Sequence, residues 1–140
     1  MLTNNKAYTM LEMIIVIMIV SIIIFVSSVS INHYQTSNQL NQVAKMIGSK
    51  YNLTKNYAQI NNKKCSISLE KPMLITTCGD KQLSSYSYPK NMSVTSNFEN
   101  NTISVNKKGH VSRAGTITIK LNNKEKQMTI GVGKGDYDIK

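Results

Sequence analysis

The sequence predicts an α+β fold in which one long N-terminal helix lies on a small antiparallel β-sheet head. Three observations predict it. Residues 11–29 are almost wholly apolar, and residues 31–60 keep apolar side chains at spacings of three and four. From residue 65 onward, apolar residues come in short runs separated by turn formers. Helix first and strands afterwards is an α+β order.

The apolar segment comes first. Between Leu11 and Val29 the polar residues are Glu12, Ser21, Ser27 and Ser28. As a helix this segment reaches roughly 28 Å, close to the thickness of a hydrocarbon core. A lone strand cannot satisfy its backbone in lipid, so the many Ile and Val residues read as a transmembrane helix. Lys6 precedes the segment, and no further lysine follows until Lys45, which orients the N-terminus inwards. A cleaved secretory signal is the competing reading; "VSSVSINHY" only loosely matches its cleavage site.

The stripe that follows is Leu40, Val43, Ala44, Ile47, Tyr51, Thr54 and Ala58, with Gln, Asn and Lys around it. Gly48 falls inside the pattern, where it permits a bend. The strand candidates are "CSISLE", "PMLITTC", "MSV", "TISV", "TITIKL" and "QMTIGVG", and "LNNKEKQ" reads as a hairpin connection. Cys65 and Cys78 flank a turn at Lys71 and Pro72. That turn would set them opposite each other on adjacent strands, as a disulfide or as two small buried residues.

Composition excludes more than it assigns. The chain has 140 residues and a formal charge of +10, from 17 Lys+Arg against 7 Asp+Glu, which permits a polyanionic partner without requiring one. Two histidines, His33 and His110, with no HExxH or CxxC pattern, give no metal site. Asp136 and Asp138 are the one close carboxylate pair. "GVGKG" opens no helix and is no phosphate loop. No catalytic set and no cofactor site are expected.

"KAYTMLE" before the apolar run resembles the class III signal of type IV pilins and pseudopilins. The resemblance implies a leader over residues 1–7, prepilin cleavage between Ala7 and Tyr8, and N-methylation of Tyr8. Glu12 then stands at the position where the family's carboxylate meets a free N-terminal amine during assembly. Ala stands where Gly is commoner, and Tyr where Phe is commoner. The organisation that follows is a membrane and assembly half of the helix over 8–30, an amphipathic half over 31–60 and a β head over 61–140. The ending "VNKKGHVSRAGTITIKLNNKEKQMTIGVGKGDYDIK" is similar to that of minor pseudopilins of the GspH/FimT-like kind. Within that group, the short leader and two-strand ending look most like the ComGD type of Gram-positive competence systems.

The resemblance implies a non-enzymatic minor subunit of a competence type IV pilus, needed for fibre priming and so for DNA uptake. Its partners would be a prepilin peptidase, the major pilin, other minor pilins and, before assembly, the membrane. The head would lie outside the cell and later on the cell surface. A pseudopilin of a type II secretion system is the alternative. A DNA-contacting tip subunit is another, with Lys107, Lys108, Arg113 and Lys134 as the contacts; a merely solvated basic face explains the same residues.

Overall fold

The computed structural model describes residues 9–132 and 136–140, with side-chain surroundings given outside 28–33. Helix α1 spans Met10–Asn61. The strands are β1 (Cys65–Ser68), β2 (Met73–Cys78), β3 (Lys81–Ser87), β4 (Met92–Ser96), β5 (Thr102–Val105), β6 (Gly115–Leu121), β7 (Lys124–Ile130) and β8 (Tyr137–Ile139). The chain divides into two compact units, Met1–Gln35 and Thr36–Lys140. The boundary falls within α1, so the amphipathic part of the helix belongs to the head.

All seven residues of the expected stripe are buried, none more than 3 % exposed. The six apolar ones join one hydrophobic cluster with the inward residues of the strands, including Ile67, Leu74, Ile103, Ile117, Ile119, Met128 and Ile130. Alternation does the sorting: β6 reads inward at Gly115, Ile117, Ile119 and Leu121, with Thr116, Thr118 and Lys120 between them. At its C-terminus α1 closes by a Schellman arrangement. Asn62 takes a positive φ of 50°, its N–H donates to the Gln59 carbonyl, and the Lys63 N–H donates to the Ala58 carbonyl.

The head contains two four-stranded sheets rather than one, in the orders β3-β2-β1-β5 and β4-β6-β7-β8. Every pairing between named strands is antiparallel. Two strands had no signal in the apolar pattern. β3, "KQLSSYS", and β8, "YDI", are both edge strands held by their backbones to β2 and β7. An edge strand has one neighbour and needs few apolar side chains. The last expected strand also stops sooner, at Ile130.

Gly48 has a different use from the expected bend, because α1 runs continuously through it. A Cβ there would lie 2.5 Å from Cζ of Tyr137, so the position is occupied by the ring of β8. That ring also stands edge-on to Tyr51, with centroids 6.3 Å apart.

Candidate functional site

The N-terminal unit carries the first candidate. Met10–Ser27 is long and apolar enough to cross a membrane, and none of it is buried. Its polar groups are satisfied locally. Ser21 Oγ donates to the Ile17 carbonyl at 2.7 Å, and Ser27 Oγ donates to the Ile23 carbonyl at 2.8 Å. This is what an apolar surrounding demands of a hydroxyl.

Glu12 is satisfied in the same way. The Thr9 N–H and Thr9 hydroxyl donate to Glu12 Oε2 at 2.8 and 3.0 Å, and the Glu12 N–H donates to Thr9 Oγ1 at 3.3 Å. Thr9 is therefore the N-cap of α1, and Glu12, three residues on, closes a capping box. The carboxylate also sits against the positive end of the helix dipole. The Thr-x-x-Glu spacing ahead of an apolar run was the available sequence signal for this box, and reading Glu12 for an outside amine passed over it. The expected cleavage and methylation residues, Ala7 and Tyr8, lie outside the described residues.

In the head, Cys65 and Cys78 form a disulfide. They are direct partners in the β1–β2 register, so the turn through Lys71 and Pro72 does place them opposite one another. Both are buried at the margin of the core.

Lys107 and Lys108 occupy an exposed turn between β5 and an isolated bridge from Val105 to Val111. Asn106 Oδ1 holds the turn by accepting the Lys108 and His110 N–H groups, both at 2.9 Å. Gln59 Nε2 donates to the Lys108 carbonyl at 2.9 Å, which seats the turn on the last part of α1. Arg113 follows the bridge and is exposed; Lys134 lies outside the described residues. The structure adds Lys63 and Lys64, at the end of α1, to the same region, a grouping that sequence distance concealed.

Among the described residues, no group of three or more His, Cys, Asp or Glu side chains is placed to hold a metal ion. Tyr51 and Tyr88 hold their protons to higher pH than a free tyrosine, chiefly because they are buried. Neither hydroxyl has a hydrogen-bond partner.

No protein-family model matches the chain, and no curated protein matches it. Solved structures do. The fold is similar to the type IV minor pilin FimU of Pseudomonas aeruginosa, with a TM-score of 0.64 and 13 % identity over 76 % of this chain and 92 % of that one. It is also similar to EpsH, the minor pseudopilin of the type 2 secretion system of Vibrio cholerae. There the TM-score is 0.58, with 11 % identity over 72 % of this chain and 95 % of that one. The chain thus has the type IV pilin fold, a long N-terminal helix packed on antiparallel sheet.

Proposed function

We propose that this chain is a minor pilin or pseudopilin subunit of a competence type IV pilus. It would be trimmed between Ala7 and Tyr8, N-methylated on Tyr8, and packed into the fibre through the helix over 8–30. The observation that carries the reading is the pairing of two different units. Met10–Ser27 exposes every apolar side chain it has and is capped at Glu12, while the head keeps a complete core of its own. A helix of the first kind needs lipid or other helices around it. The pilin fold of the head supports fibre helices as the second environment. The two structural neighbours come from a pilus and a secretion system, so the choice of a competence pilus rests on the N- and C-terminal motifs.

Glu12 serves both environments in this reading. In the isolated subunit its Oε2 closes the capping box with Thr9. In the fibre its charge meets a free amine of a processed subunit, which sets helix depth. Two substitutions separate these roles. Glu12→Gln preserves a capping box, which accepts Gln as well as Glu, and removes the charge. Thr9→Ala removes the cap hydroxyl and keeps the charge. The expected outcome is normal loss of Met1–Ala7 by intact-mass measurement in both variants. Fibre incorporation and transformation should fail for Glu12→Gln and largely persist for Thr9→Ala. Wild-type incorporation of the Gln variant sinks the charge-pairing role. Lost protein secretion with intact transformation moves the subunit to a secretion system.

DNA contact through Lys107, Lys108, Arg113 and Lys134 is the competing proposal for the head.

A further inference from the structure

At the disulfide end of the head, a cleft lined in part by Lys64 adjoins three segments that carry further lysines. Three segments meet there: residues 61–64 at the end of α1, 79–82 at the β2–β3 turn, and 106–110 after β5. Backbone contacts tie them together. The Gly79 N–H donates to the Lys64 carbonyl at 3.0 Å, and the Gln59–Lys108 bond holds the third segment to the helix. The Lys63 stem lies within 3.8 Å of where a Cβ on Gly79 would stand. These segments carry Lys63, Lys64, Lys81, Lys107 and Lys108, all exposed, against one carboxylate, Asp80.

Beside them lies an open cleft of about 440 Å³. Its lining includes Lys64, Ser66, Thr77, Ser104, Asn106 and Ser112. Register explains the hydroxyls: Ser66 is the direct partner of Thr77 on one side and of Ser104 on the other. Ser66 Oγ and Thr77 Oγ1 share one hydrogen bond of 2.8 Å, and either can be its donor, so one hydroxyl proton remains for a ligand. Asn106 spends its Oδ1 on the turn, which leaves its amide NH2 as a donor. No aromatic side chain lines the cleft.

We propose that this cleft binds a polyol phosphate chain, a polymer in which hydroxylated units alternate with phosphodiesters. Lys64 and the hydroxyl row take one phosphate and its neighbouring polyol unit. Lys63, Lys81, Lys107 and Lys108 meet the phosphates on either side. Hydroxyl and amide donors beside an ammonium suit a hydroxylated anion. The absence of any ring in the lining gives a nucleobase nothing to stack on, which disfavours single-stranded nucleic acid. The contacts are to phosphates in solvent, so binding weakens as salt rises. This inference goes beyond subunit assembly and does not depend on it.

The test uses the full chain in micelles of a neutral detergent. Its probe is a fluorescent poly(glycerol phosphate) oligomer, with duplex DNA of equal charge in parallel. The expected result is saturable, salt-sensitive binding of the oligomer, accompanied by shifts of the Ser66 and Ser104 amide resonances. Lys64→Gln with Lys108→Gln, and separately Ser104→Asp, should each weaken binding at least about fivefold. Lys45→Gln with Lys90→Gln removes the same charge elsewhere and should change it less than about twofold. Equal losses in the control pair, unchanged affinity in the cleft variants, or no binding at low salt would each overturn the site. DNA bound as tightly as the oligomer, with the same dependence on the cleft variants, would overturn the ligand and return the surface to nucleic acid.

Discussion

At Glu12 a single side chain answers to its own helix and to its surroundings. The bonds to Thr9 place it at N3 of a capping box, a role that demands no partner molecule. Tyr51 is the opposite case, a polar group with no local answer. Its ring fills the core beside Tyr137, its hydroxyl is buried without a partner, and its pKa is pushed up to about 12, first by burial and then by the negative charge of Asp136. An unfolded tyrosine ionises near 10. Below about pH 10 the residue is neutral in both states, and its contribution to stability is constant. Between about 10 and 12 the unfolded chain loses this proton and the folded chain keeps it, so stability falls by about 1.4 kcal/mol per pH unit. Tyr51→Phe should therefore flatten the alkaline loss, while changing stability at neutral pH by no more than about 1 kcal/mol. Urea unfolding of both forms at pH 8 and pH 11 measures it. Parallel losses in the two proteins would show that Tyr51 is not the group responsible.

Between elements, close approach and pairing matter more than local preference. Gly48 costs α1 up to about 1 kcal/mol relative to Ala, and the return is the seat for Tyr137. Gly48→Ala should push the ring out and loosen β8, a strand of only three residues. The expected net loss is about 1–2 kcal/mol, with faster amide exchange at Met128 and Ile130, which pair with β8. In a Tyr137→Ala background the same substitution should stabilise instead, by about 0.5–1 kcal/mol, because only the helix preference remains. A loss of equal size in both backgrounds would refute the packing account. The disulfide works at the same scale. It closes β1 onto β2 across a sequence separation of 13, and reduction should remove about 3 kcal/mol from the head. An unfolding midpoint unmoved by reductant, with free thiols confirmed by mass, would contradict that.

Over the whole molecule, the legible parts of the fold were those written in side-chain period. The stripe from Leu40 to Ala58 and the alternation in β6 each have one burial pattern that makes sense, and both are buried as read. Strands held mainly by backbone bonds left no such mark: β3 has one aliphatic residue, Leu83, and β8 has Ile139. Partner choice was equally silent, because alternation fixes which face a residue takes and not which strand lies beside it. β4 thus pairs with β6 and passes over β5. Asparagine misled in a different way. It lies outside the apolar period, yet Asn62, Asn91, Asn100, Asn101 and Asn122 all take positive φ, where Asn is better tolerated than most side chains. The Thr9–Glu12 capping box was written in its Thr-x-x-Glu spacing, although Glu12 was read there for an outside amine. The cleft beside Lys64 was not legible, since it joins segments far apart in sequence.

The same division yields a last expectation. Every described core residue lies at Leu40 or beyond, and the described apolar residues before Ser27 are exposed. A chain starting at Thr36 keeps the whole stripe, both sheets and the disulfide. It loses only the segment that requires lipid or neighbouring helices, so it should be a soluble monomer without detergent. It should unfold in one cooperative transition, with coincident far-ultraviolet and tyrosine signals. Its head amide resonances should match those of the full chain in micelles beyond the first few residues. Aggregation, or a broad non-cooperative transition with secondary structure intact, would show that the N-terminal unit completes the core.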